Sequence, residues 1–256
     1  MSPRLAAAGL LALLLGCASA PVPDNRRSGF EYMSAQTQAI QNDDNANPAM
    51  LWVKEGEALW STAAGASGKS CLSCHGDAAT SMRGVAARYP AWDAPLSRPV
   101  NLGTRINLCR QRHQQLPALT AENQQMLSLE SYVAMQSRGM PIAPPSDERL
   151  APFRVRGEQQ FMQRIGHLDL SCAQCHDQHA GQRLAASPIP QGHPTGYPIY
   201  RLEWQALGSL SRRLRGCMTG VRAEPFAANS VEMVELELHL ARRAMGMRVE
   251  TPGVRP

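Results

Sequence analysis

Two pentapeptides carry the most specific chemistry in this chain: Cys71-Leu72-Ser73-Cys74-His75 and Cys172-Ala173-Gln174-Cys175-His176. Two thiols at this spacing can add across the two vinyl groups on one edge of a porphyrin. The adjoining histidine then falls beneath the iron as its proximal ligand. A single pentapeptide of this kind is also compatible with half a zinc site or a redox dithiol. Two of them, each ending in histidine, point to two covalently bound c-type haems. These would be attached through Cys71, Cys74, Cys172 and Cys175, with His75 and His176 on the irons.

Three further cysteines remain, Cys17, Cys109 and Cys217. The sixth position of each iron could be taken by Met140 and Met247, by Cys109 and Cys217, or by one of His113, His167, His179, His193 and His239. Histidine with methionine is the usual pairing in electron carriers and would leave Cys109 and Cys217 for a disulfide between domains. The methionines could equally be gap-filling core residues. Cys109 and Cys217 share a context, however: each lies four residues after an arginine, Arg105 or Arg213. Around Cys217 stand Arg212, Arg213, Arg215 and Arg222, with Glu224 the only acid within residues 211–226. If each cysteine lies over its own haem it can supply a thiolate ligand, whose anion the arginines would stabilise. Arginine also suits an oxyanion, because its planar fork binds two oxygens at once. The plainer alternative is a solvated helix face with arginines in place of lysines.

The elements that must position these residues come in duplicate. Gly56-Glu57 and Trp60 precede the first haem motif as Gly157-Glu158 and Phe161 precede the second, at the offset of 101 that separates Cys71 from Cys172. Downstream the offset is 108, pairing Tyr89-Pro90 with Tyr197-Pro198, Arg105 with Arg213 and Cys109 with Cys217. Nearer the ends it is 107, pairing Leu129-Glu130 with Leu236-Glu237 and Gly139-Met140 with Gly246-Met247. The chain is therefore expected to be mostly α, a tandem repeat of two cytochrome c-type domains each built around one covalent haem. The expected bounds are 47–148 and 149–256. Each copy reads as a helix, a haem motif, a long irregular stretch and a terminal helix. Helices are predicted from Asn47-Pro48 to Ser61, over 150–165, from Thr120 to Arg138, and from Asn229 to Gly246. Aromatic residues make up only 5% of the chain, which suits domains whose cores are filled by porphyrin.

The first twenty residues read as an export segment, with Arg4 ahead of an apolar run over 5–15 that is too short to span a bilayer. Cleavage after Ala20 competes with a lipoprotein box, Leu14-Leu15-Gly16-Cys17, that would make Cys17 a lipid anchor. Either places the mature protein in the periplasm. Residues 21–46 are polar and read as a linker or extended arm. The formal charge of +5 is spread along the chain, which argues against a nucleic-acid binder.

The stretch YPIYRLEWQALGSLSRRLRGCMTGVRAEPF, the RINLCR segment and the tandem haem motifs resemble the SoxA family, the cytochrome subunit of the SoxAX complex of bacterial sulfur oxidation. The resemblance covers about residues 50–250 and is most specific over 200–223. It implies two cytochrome c domains. Carried over by position, His75 and Cys109 would ligate the N-terminal haem iron, and His176 and Cys217 the C-terminal one. Cys217 would be the active-site cysteine, carried as a persulfide in the family, and Arg213 the substrate-orienting arginine. The implied enzyme is an L-cysteine S-thiosulfotransferase that joins thiosulfate to a cysteine of a SoxYZ-type carrier. Its partners would be a SoxX-type subunit and an external cytochrome c that takes the electrons. A lipoprotein segment is not part of the family pattern. The alternative is a plain dihaem electron carrier with His/Met ligation; a dihaem peroxidase finds no support in the sequence.

Overall fold

The computed structural model describes residues 24–256; the export segment 1–20 and Cys17 lie outside them. Nine α-helices and seven short strands, with short 3-10 and π-helical turns between them, follow in chain order among these residues. The helices are α1 (Ala35–Asn42), α2 (Met50–Ser61), α3 (Cys71–His75), α4 (Ala78–Ser81), α5 (Leu102–Cys109), α6 (Gln124–Met135), α7 (Ala151–Met162), α8 (Leu210–Gly220) and α9 (Val231–Arg243). The strands are β1 (Ala91–Asp93), β2 (Arg98–Val100), β3 (Arg183–Leu184), β4 (Ser187–Pro188), β5 (Ile199–Arg201), β6 (Ala206–Gly208) and β7 (Gly253–Arg255). No described helix is long and apolar enough to cross a membrane.

In each repeat the first and last helices cross, α2 on α6 and α7 on α9. Glycine is required at both crossings. A Cβ on Gly56 would lie 2.1 Å from the Ser128 carbonyl oxygen, and one on Gly157 would lie 2.0 Å from that of Glu235. These are the glycines of the repeated Gly-Glu pairs, so the sequence repeat is a repeated close approach of two backbones. The crossings bury Trp60 and Val133 in one repeat and Phe161, Leu236 and Leu240 in the other.

The predicted helices are present with shifted ends. Asn123 and Ser230 are the N-caps of α6 and α9, rather than Thr120 and Asn229. The long irregular stretch of each repeat instead holds a β-hairpin followed by a helix: β1–β2 then α5, and β5–β6 then α8. Three-residue strands are too short to show an alternating pattern, and α8 is rich in arginine and interrupted by Gly216. The arm also differs from expectation. Residues 28–42 form a 3-10 turn and α1, laid against β7. Its attachment is polar: Gln41 Oε1 accepts from the Val254 amide at 2.9 Å, and Asn47 Nδ2 donates to the Pro252 carbonyl at 3.0 Å. Docking through amides, with little apolar burial, is why its composition reads as a linker.

The repeats meet along a pseudo-twofold seam. Ile142 N donates to Met247 O at 2.8 Å and Val249 N donates to Met140 O at 2.9 Å. The N-cap of α5, Asn101, donates to Asn229 at 2.9 Å just before α9; the N-cap of α8, Ser209, bonds Glu122 just before α6.

Candidate active site

Each haem motif opens on a serine cap. Ser70 Oγ accepts from the Ser73 amide at 3.0 Å, starting the one-turn helix α3. Ser171 Oγ accepts from the Gln174 amide at 3.2 Å, capping the helical residues 172–173 that lead into the π-helical turn Gln174–Gln178. These caps fix where the two thiols and the histidine of each motif point. His176 is held further. Its Nδ1–H donates to the Pro190 carbonyl at 2.7 Å, which leaves the Nε2 lone pair free for a metal. Gly192 presses on the same ring, where an added Cβ would lie 3.1 Å from His176 Cγ. His75 stands 5.7 Å from the Trp60 ring, centroid to centroid.

Cys109 ends α5 and Cys217 lies in the last turns of α8. Each interacts with the thiols of its own repeat, Cys109 with Cys71 and Cys74, Cys217 with Cys172. No disulfide joins any described cysteine, and Cys109 and Cys217 each lie beside the haem-motif cysteines of their own repeat rather than beside one another. Met140 and Met247 lie on the seam. The Met247 side chain packs with Ala87, Ile142, Ala244 and Val249, and Met140 lies over Gly84. Among the histidines, His113, His167 and His179 are exposed. His239 packs its ring 5.1 Å from Phe161, as Tyr132 packs on Trp60 in the other repeat. His193 sits in a cleft with His176, Asp177 and Arg243, at the end of the loop that grips His176; burial and the charges of Arg243 and Arg26 push it down to about 4. A pair of cysteines, a following histidine and a third cysteine in each repeat, with Nδ1 of His176 engaged by the Pro190 carbonyl, fit a covalent haem.

The thiols differ electrostatically. Burial pushes Cys71 and Cys109 up, and Cys172 up to about 11. Cys217 is buried too, but the facing His176 ring and the charges of Arg213 and Arg201 outweigh that burial and hold its thiol below the usual value. Among the described thiols shifted from their usual value, Cys217 alone is shifted down. Tyr197, close to Arg213 and Cys217, is pushed by burial up to about 12 and stays a neutral hydroxyl.

A family model described as SoxA/TsdA, cytochrome c domain, matches this chain twice, over residues 55–142 and 156–249. The chain belongs to the SoxA/TsdA cytochrome c family. It is similar to the L-cysteine S-thiosulfotransferase subunit SoxA of Pseudaminobacter salicylatoxidans, 39% identical over 91% of this chain and 82% of that protein. The corresponding subunit of Rhodovulum sulfidophilum is 36% identical over 91% of this chain and 81% of its own length. The crystal structure of SoxXA from P. pantotrophus matches with a TM-score of 0.87 at 33% identity, covering 90% of this chain and 87% of that one. Membership of this family brings covalently bound haem, and the twofold match agrees with the repeat of Gly56 and Gly157.

Several site residues escape a reading of the sequence. Pro190 and Gly192 hold His176 from a loop that carries no motif. Asp93 and Arg201 end equivalent strands, three residues after the prolines of the paired Tyr-Pro segments. Carrying the 108-residue offset three residues further pairs them.

Proposed function

We propose that this chain is the SoxA-type subunit of a periplasmic L-cysteine S-thiosulfotransferase and that Cys217 supplies its reacting sulfur. The reaction joins thiosulfate to a cysteine thiol of a SoxYZ-type carrier. One sulfur–sulfur bond forms, the thiol proton leaves, and two electrons depart. Two covalent haems, attached at Cys71 and Cys74 and at Cys172 and Cys175, would be held by His75 with Cys109 and by His176 with Cys217. When bound, haem supplies the electron acceptor that discharges to an external cytochrome c. Arg213 orients the dianion, since a guanidinium fork pairs two oxygens and cancels charge near the reacting thiol. Tyr197 offers a neutral hydroxyl close to the same arginine. The two haem domains are 47–148 and 149–256, a SoxX-type subunit completes the enzyme, and Cys17 offers an alternative N-terminal lipid anchor.

The observation that carries this reading is the placement of Cys217, in the last turns of α8, four residues after Arg213, beside Cys172 and His176 of the second haem motif and within reach of the charges of Arg213 and Arg201. A thiol so placed, with two guanidinium groups to hold an anionic partner, is suited to attack or accept sulfur. The experiment is a Cys217→Ser change in the haem-loaded complex with its cytochrome partner. Conjugation of thiosulfate to the carrier cysteine, read by mass spectrometry, is expected to fall by at least about 100-fold with haem content unchanged. A rate equal to the parent's would sink the assignment.

A further inference from the structure

The hairpins β1–β2 and β5–β6 correspond residue for residue, so a position where they differ in charge shows what one copy does that the other does not. β1 pairs with β2 as β5 pairs with β6, in the same register, which places Asp93 and Arg201 at equivalent strand ends. Asp93 is only 1% exposed. Its carboxylate binds Arg105 Nη1 at 2.7 Å and reaches Arg112 Nη2 at 3.7 Å. Arg105 is the counterpart of Arg213. The N-terminal copy thus carries an internal carboxylate where an external anion would have to bind.

In the C-terminal copy that carboxylate is replaced by a guanidinium. No described carboxylate lies within 4.0 Å of Arg213. Arg201 is held on the face of Trp204, 5.1 Å from the ring centroid, and pairs outward through Nη2 with the exposed Glu203 at 2.7 Å. Its side chain is 13% exposed, and its Nε is buried with no hydrogen-bond partner. Arg213 and Arg201 stand close enough to repel, and both charges reach Cys217. Two like charges kept close together, one with an unused buried donor, are compensated when an anion binds between them.

We propose that the position shared by Asp93 and Arg201 selects which repeat admits an anion. Asp93 closes the N-terminal site from within. Arg201 joins Arg213 in a two-guanidinium subsite for the sulfonate end of a sulfur oxyanion, leaving its outer sulfur toward Cys217. The subsite rests on Cys217 being the reacting thiol, but its affinity can be read without turnover.

The test is calorimetric titration of thiosulfate into the haem-loaded complex, with no carrier protein and no electron acceptor present. One thiosulfate per chain is expected for the parent. Arg201→Gln should weaken binding about 10- to 100-fold, the loss of a charged bidentate pair. Arg201→Lys, which keeps the charge without the fork, should fall between and serves as the arbiter if the glutamine variant does not fold. Asp93→Asn should free Arg105 and add a second, weaker site. Parent-like affinity in both Arg201 variants would make Arg201 a structural residue and overturn the subsite. A stoichiometry that stays at one in Asp93→Asn would overturn the selection by Asp93. Cys217→Ser should keep thiosulfate affinity while losing conjugation. If it kept conjugation while Arg201→Gln lost affinity, the thiol assignment would fail and the anion site would stand.

Discussion

Residue by residue, the two Arg-x-x-x-Cys segments show how little of a site is fixed by its motif. Arg105 and Arg213 share a position, but one is spoken for by a buried aspartate and the other is not. Replacing Arg213 by lysine keeps the charge and loses the fork, so the KM for thiosulfate is expected to rise about tenfold or more, with haem content unchanged. Steady-state kinetics with the carrier protein would show this, and an unchanged KM would count against substrate contact by Arg213. The grip on His176 makes a second expectation. Gly192 has φ +74°, a conformation that strains an L side chain, and an added Cβ would crowd the imidazole at 3.1 Å. Gly192→Ala should therefore tilt His176 and shift the spectrum of the C-terminal haem alone, read by electron paramagnetic resonance of the oxidised protein. Identical spectra would show that the ring does not depend on this loop. The haem motifs stand out in the sequence because covalent attachment demands fixed residue types at fixed spacing, and Cys109, Cys217 and Arg213 because the repeat pairs them. Pro190, Gly192 and Asp93 do not. Their roles come from a carbonyl, an absent side chain and a cross-repeat comparison, none of which marks a local pattern.

Among the elements, the helix crossings decide the architecture. Gly56 and Gly157 let α2 reach α6 and α7 reach α9 at distances that no side chain permits. Alanine at either place would drive a methyl into a backbone carbonyl, and backbone cannot step aside as a flexible side chain can. A loss of about 3 kcal/mol or more is expected for each change, at the upper end of overpacking costs. Thermal unfolding of each holo-variant would test this; a midpoint equal to the parent's would mean that the helices can separate without cost. The duplicated helices were readable from the repeated glycines and the matching offsets, whereas the capping residues misplaced their starts. The hairpins were not, because pairing over three residues leaves no periodicity. Their place in the fold is nonetheless decisive, since β1 and β5 deliver Asp93 and Arg201 to the two sites.

For the molecule as a whole, the two repeats close on each other around acidic groups. A cavity of about 150 Å³ lies at the seam and is lined by Glu130 and Glu237, the matched acids of α6 and α9, together with Tyr89, Tyr197 and Ser211. Burial, with the charges of Glu237 and Glu122, pushes Glu130 up to about 8. Burial pushes Glu237 up to about 7, against the stabilising bond from Asn101 Nδ2 at 3.0 Å. Both acids ordinarily titrate near 4.5. Below that value the folded and unfolded chains are both protonated, and the pair has no effect on stability. Between about 4.5 and 8 the unfolded chain releases protons that the folded chain retains, so stability falls as pH rises. The slope is at most about 1.4 kcal/mol per pH unit for each titrating carboxyl, and above about pH 8 the penalty is constant. Urea unfolding of the holo-protein at a series of pH values should show this decline. Glu237→Gln should flatten it and raise stability at pH 8, because the amide keeps the bond to Asn101 and has no proton to lose. Should the glutamine variant decline as steeply as the parent, the seam acids would be ionised throughout. The repeats would then be joined across a charged cavity, contrary to the protonated, hydrogen-bonded one described by the burial of these two side chains.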